Sequence, residues 1–244
     1  MMVKISTIIY VHNSESFLAE SLESLLNQSF KDFEIIIIED SGNENINSLI
    51  NKYSEKLKIS ILSTEKVGLN KSVNQAIKQA QGKYIHIMSP ATILEENAYE
   101  LLFEKSEKSN ADLIISDSNY IANNDEKIVK YDKFIQTLED EKEVFDIKNI
   151  KKFFKIDRSL DNKLFNSNFL NEKNIIFSNE IKNDHRLFFY ESLLSAKKIT
   201  NLKESVITHK DYVSNISNRN DSNLLDFIAI ANQIITLFER NNLL

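Results

Sequence analysis

The run FEIIIIED, residues 33–40, places four consecutive isoleucines ahead of two carboxylates and the turn-forming SGN. A strand with one wet face alternates apolar and polar residues. A strand that is apolar at every position has to be covered on both faces, as in a parallel sheet between two helical layers. Other strand-length apolar segments flank it: VKISTIIYV at residues 3–11, a run at 58–62, YIHIM at 84–88, and ADLIISD ending at Asp117. Between them the apolar spacing becomes helical. Phe17, Leu18, Leu22, Leu25 and Leu26 fall within 16–28, a second helix fits 46–53, and Val73, Ile77 and Ala80 fall within 71–81. This alternation predicts an α/β fold with a mostly parallel, Rossmann-like central sheet flanked by helices. Ligands of such sheets sit beyond the carboxyl ends of the strands, which selects residues 10–13, 39–43, 65–70 and 88–92 as candidate positions.

Beyond about residue 124 the pattern weakens, with a charged linker EDEKE at 139–143 and apolar helices near 150–154 and 192–197. The last segment, 224–243, puts Leu224, Phe227, Ile228, Ala231, Ile234, Ile235 and Phe238 on one face of an amphipathic helix. If the chain does not bury that face, homo- or hetero-oligomer formation through it is expected. A length of 244 residues, 42% of them hydrophobic, suits one sizeable domain with a helical appendage. The net charge of -6 gives no whole-chain attraction to nucleic acid or anionic lipid. The absence of cysteine excludes disulfides, thiolate metal sites and a cysteine nucleophile. The apolar run at the N-terminus is broken by His12 and Asn13, too short for a signal-peptide core or a transmembrane segment, so a cytoplasmic protein is expected. Glycine occurs only at 42, 68 and 82 and proline only at 90, which marks these positions as structural punctuation.

Four segments, at residues 5–45, 67–88, 161–177 and 183–199, carry a resemblance. They begin ISTIIYVHNSESFLAE, VGLNKSVNQAIKQAQGKYIHIM, DNKLFNSNFL and NDHRLFFYESLL. In order and spacing they resemble the family 2 inverting glycosyltransferases of the GT-A fold, over roughly residues 3–217. The resemblance implies a nucleotide-binding half at 1–120, an acceptor-side half at 121–217 and a separate C-terminal helix at 218–244. It also implies transfer of a sugar from a nucleotide-sugar donor, such as a UDP-sugar, to a hydroxyl acceptor in bacterial-type glycan or glycoprotein assembly. Tyr10 and His12 close the first strand, His12 standing where an aromatic residue stacks on the base. Asp40 matches the acid that accepts the base's ring N–H, and Asn74 is the remaining match in a helix where Val73 replaces an arginine. The general base falls on His185, or on Asp184 if the loop is displaced by one residue. Read without the family, NDH is equally a helix cap, His12 a turn histidine and Asp40 a loop-capping carboxylate.

The departures are concentrated at one place. The family's D-x-D aspartates hold Mn or Mg across the donor's phosphates. Here the corresponding residues are Ser89, Pro90 and Ala91, followed by Thr92, so no metal ligand is expected at this turn. The diphosphate then needs cationic side chains or a helix N-terminus. Lys71, His209 and Lys210 are the candidates, although ITHKDYVSNIS, from residue 207, also reads as a surface loop. Asp112 and Asp117 read as strand-end turns and His86 as a packed strand residue. Three readings stand: a metal-independent transferase, a catalytically degenerate homologue that binds a nucleotide, glycan or partner without turnover, and a structural subunit.

Overall fold

The computed structural model describes residues 3–11, 15–39, 42–63, 68–122, 127–131, 144, 156, 158–178, 185–210 and 221–242. His12, Asp40 and Asp184 lie outside them, as do the expected linker at 139–143 and the expected helix at 150–154.

The first half alternates β1 (Ile5–Val11), α1 (Glu15–Leu26), β2 (Phe33–Glu39), α2 (Glu44–Ser54), β3 (Ile59–Ser63), α3 (Leu69–Gln79) and β4 (Tyr84–Met88). These four strands lie in the order β3-β2-β1-β4, all parallel. The second half contains β5 (Thr92–Leu94), α4 (Ala98–Ser109), β6 (Leu113–Ala122), β7 (Lys127–Tyr131), β8 (Lys163–Asn166) and α5 (Ser167–Lys173). It ends with α6 (His185–Ser195), β9 (Ile199–Lys210) and α7 (Asp221–Arg240). Its strands extend the same sheet as β8-β6-β9-β5, with β7 on β6. β8 runs antiparallel to β4 and β6, while β6 and β9 are parallel. β5 follows β4 almost directly in the chain yet pairs with β9 at the other end of the strand order. The sheet therefore curls, bringing the β9 edge back to the carboxyl end of β4.

All seven residues of β2 are buried, as the isoleucine run requires. Ile35 and Ile37 join Leu18, Leu22, Leu25, Ile46 and Ile50 on one face. Ile36 and Ile38 join Val73, Ile77, Phe165 and Phe188 on the other. Each such burial stabilises by roughly 1.5–3 kcal/mol. Gly82 is demanded by contact: a Cβ there would lie 2.5 Å from the Ser6 backbone nitrogen and 2.7 Å from the Ile5 carbonyl carbon. Its N–H donates to Ser6 Oγ at 2.8 Å, and Ser6 Oγ donates to Glu34 Oε1 at 2.7 Å. Burial would raise the Glu34 pKa, but the Gln81 N–H, the Ser6 hydroxyl and Lys58 leave it lowered.

Two expectations are corrected. The strand expected to end at Asp117 continues to Ala122, so Asp117 lies within β6, 2% exposed, at a register shift against β9 rather than in a turn. The segment containing His209 and Lys210 is the end of β9, paired with β5 and β6, and His209 is 6% exposed. On the C-terminal helix the expected apolar face divides: Phe238 is buried and meets the Tyr190 ring at 5.3 Å, while Ile228 and Ile235 are exposed. Among the described residues no helix is long and apolar enough to cross a membrane.

Candidate functional site

A cleft of about 600 Å³ opens where the sequence pattern places one, at the carboxyl ends of β1 and β4. Tyr10 lies on one wall with Leu69, Asn70 and Val73 from the first turns of α3. Ile87 to Pro90 form its inner edge, and Tyr120 of β6 faces in beside them. Arg158 to Asp161, Phe177, and His185 with Arg186 from the start of α6 complete the lining.

The turn after β4 contains no carboxylate of its own, but one reaches it from the segment before β8. Because β8 runs antiparallel to β4, its start lies beside the end of β4, which brings Asp161 to the turn. Asp161 Oδ1 accepts the Ser89 N–H and, at 3.0 Å, the Thr92 hydroxyl. Oδ2 accepts the Ser159 hydroxyl at 2.8 Å and lies 3.6 Å from His209 Nδ1. Burial would raise the Asp161 pKa. His209, the Ser89 N–H, the Ser159 hydroxyl and His86 outweigh it, and the carboxyl is held below its ordinary range. The carbonyl of Asp161 is fixed too, 2.6 Å from His86 Nε2. A carbonyl only accepts, so Nε2 carries the proton and Nδ1 accepts from the Tyr99 hydroxyl at 2.9 Å. Tyr99 in turn accepts from Thr7 at 2.5 Å. Burial lowers the His86 pKa, consistent with this neutral tautomer.

The next two residues anchor the same segment elsewhere. Asn162 Nδ2 donates to the Ser116 carbonyl at 2.8 Å. Lys163, fully buried, donates to the Ser159 carbonyl and, at 2.6 Å, to Asn162 Oδ1, and its ammonium sits 4.8 Å from the Phe189 ring centroid. Three consecutive side chains thus pin this segment to the β4–β5 turn, to β6 and to itself.

A divalent cation of the kind the resemblance implies does not fit the described residues here. Both Asp161 oxygens already accept N–H or O–H donors. Among the described residues no group of three or more His, Asp or Glu side chains converges as a ligand set. Arg158 and Arg186 are also among the cleft-lining residues. Burial raises the Tyr190 pKa, while a hydrogen bond and charge from Arg158, together with the charge of Arg186, oppose the rise.

The expected site residues fall into distinct places. Tyr10, Ser89, Pro90 and His185 line the cleft, and His185 is the first residue of α6 rather than a residue ahead of it. Ala91 is buried behind the turn, its carbonyl accepting the Lys210 N–H at 3.0 Å. Asn74 lies behind the wall and bonds both ways to the Phe177 backbone, each contact at 2.8 Å. Lys71, His209 and Lys210 are not among the cleft-lining residues. Lys210 is paired with Glu20 at 2.6 Å, and Lys71 is exposed on α3. Asp161, Arg158 and Arg186 were not legible as site residues. The only signal was an acidic residue opening the NKLF segment, and no local spacing connects it to Ser89.

A curled α/β sheet of this order, with its cleft at the carboxyl ends of β1 and β4, defines the GT-A class of fold. The Staphylococcus aureus TarS crystal structure in complex with UDP superposes with a TM-score of 0.76 at 22% identity, over 95% of this chain and 64% of that one. The chain belongs to glycosyl transferase family 2, whose model matches residues 6–171. Among relatives, a poly(ribitol-phosphate) beta-glucosyltransferase of Bacillus spizizenii is 29% identical over 204 residues, 81% of this chain and 31% of the relative. A cholesterol galactosyltransferase of Borreliella burgdorferi is 31% identical over 114 residues, 46% of this chain and 32% of the relative. The chain thus spans about a third of the length of each of these relatives.

Proposed function

We propose that this domain transfers a sugar, with inversion, from a nucleotide-sugar donor to a hydroxyl acceptor in bacterial-type glycan assembly, without a D-x-D-bound metal. The observation that carries the reading is the cleft at the carboxyl ends of β1 and β4, lined by Tyr10 and by two arginines. Relatives and neighbours support the donor class: TarS has been solved with UDP and with UDP-GlcNAc. In this reading Tyr10, His12 and Asp40 receive the base. The acceptor oxygen bonds the anomeric carbon as that carbon's bond to the diphosphate oxygen breaks. His185, or Asp184, takes the hydroxyl proton, and the nucleoside diphosphate leaves. Asn74 acts on this site through the Phe177 backbone that it holds.

A second reading, binding without turnover, is favoured by the bonding of Asp161, whose carboxylate is committed to the fold. Calorimetric titration with UDP and other nucleoside diphosphates, with manganese or with chelator, tests the donor site. Binding that persists in chelator and is lost in Asp40→Ala supports it. No binding of any nucleoside diphosphate at millimolar concentration overturns the transferase reading and leaves the binding of a glycan or partner without turnover. Release of UDP from UDP-sugars in the presence of hydroxyl acceptors then separates turnover from binding.

A further inference from the structure

We infer that Arg158 and Arg186 clasp the donor's diphosphate in this cleft, taking the charge-balancing role of a metal ion. The inference rests on the reading of the cleft as a nucleotide-sugar site and adds the groups that recognise the phosphates.

Three observations lead to it. The two guanidinium groups come from separate segments, one from the run before β8 and one from the first turn of α6, yet both line the same cleft as the carboxylate-free turn at Ser89 and Pro90. A hydrogen bond and charge from Arg158 and charge from Arg186 both oppose the rise of the buried Tyr190 phenol's pKa, so both are within electrostatic reach of one group. Asp161, the acidic residue among the described lining residues, has its oxygens engaged by Ser89, Thr92 and Ser159. Guanidinium groups suit the task because they stay charged at all working pH values and present a planar fork that matches phosphate oxygens two at a time. Charge that builds on a departing diphosphate is stabilised most by cations already fixed in position. Arg158 hydrogen-bonds Tyr190 and lies three residues before Asp161, next to the stretch that Asp161, Asn162 and Lys163 anchor.

The test is titration of Arg158→Gln, Arg186→Gln and the double variant with UDP and with uridine, each in chelator and in manganese. The wild-type protein should bind UDP equally well in both media. Each single variant should lose about tenfold in UDP affinity and the double variant about a hundredfold, while uridine affinity stays unchanged, because only the phosphates meet the arginines. Arg158→Lys should fall between wild type and Arg158→Gln, having kept the charge and lost the fork. UDP affinity that is undisturbed in the double variant overturns the inference, and so does wild-type UDP binding that chelator abolishes. Either result leaves the donor-site reading standing. If neither UDP nor uridine binds the wild-type protein, the donor-site reading fails and this inference with it.

Discussion

The two walls of the cleft are specified in different ways. The wall formed by β1, β4 and α3 rests on apolar area: alternate residues of β2 and its neighbours go to opposite faces, and both faces are filled. The opposite wall rests on three consecutive polar side chains, Asp161, Asn162 and Lys163, each bonded to a different place. Apolar contact is non-directional, so the first wall responds in proportion to the volume removed. Hydrogen-bonded networks depend on every member being satisfied, so the second should respond to small changes in chemistry at constant volume.

The largest effect should come from the first wall. Ile37→Ala removes a fully buried side chain from the central strand and should cost about 3–5 kcal/mol in denaturant unfolding. Ile37→Val should cost only about 1 kcal/mol. If the valine variant lost as much as the alanine one, response in proportion to volume would be the wrong description of this wall.

Lys163→Met sharpens the contrast. It keeps the length of the side chain and its contact with Phe189, but it removes the donor to the Ser159 carbonyl and to Asn162 Oδ1. A loss of about 2–3 kcal/mol is expected from the two acceptors left unpaired. A methionine variant as stable as wild type would show that the polar network adds nothing to the fold.

The same contrast explains what was legible in the sequence. The isoleucine run and the helical spacings of α1 and α3 identify the parallel half, because a strand or helix displays its own period. Gly82 and the turn at Ser89, Pro90 and Ala91 were also visible as punctuation. What could not be read was a contact whose partners lie far apart in the chain. Asp161 reaches Ser89 only because β8 returns antiparallel to β4, and no period in the sequence encodes that return. His209 and Lys210 read as a loop for a similar reason. Polar residues in a strand end look like a loop unless the pairing of β9 with β5 and β6 is known.

Asp161→Asn is a gentler change, since asparagine keeps one acceptor oxygen and loses the charge. At neutral pH a loss of about 1–2 kcal/mol is expected. Because the folded-state pKa of Asp161 lies below the ordinary 3.8, its contribution is fully present above that value. It is lost as pH falls through the folded-state pKa, where the folded protein must also take up the proton. Unfolding free energies of the two proteins should therefore differ at pH 7 and converge below about pH 3.8. Glu34 and Glu107, also lowered, weaken both proteins alike in that window and cancel in the difference. A gap that stayed constant with pH would assign the loss to shape rather than charge.

The smallest effect should come from a residue belonging to neither wall. Ile235 lies on α7, the helix that buries Ile230 and Phe238, yet it is itself 47% exposed, as is Ile228 at 48%. These two are seven residues apart and so share a helical stripe turned away from the chain's own core. Ile235→Ser should change stability by less than about 0.5 kcal/mol, because an exposed side chain surrenders little area. Sedimentation of the same variant checks the other half of the argument. If α7 serves mainly to complete the core through Ile230 and Phe238, the sedimentation coefficient should not move. A shift to a smaller species, with a loss of stability that depends on protein concentration, would instead make Ile235 part of a contact between chains.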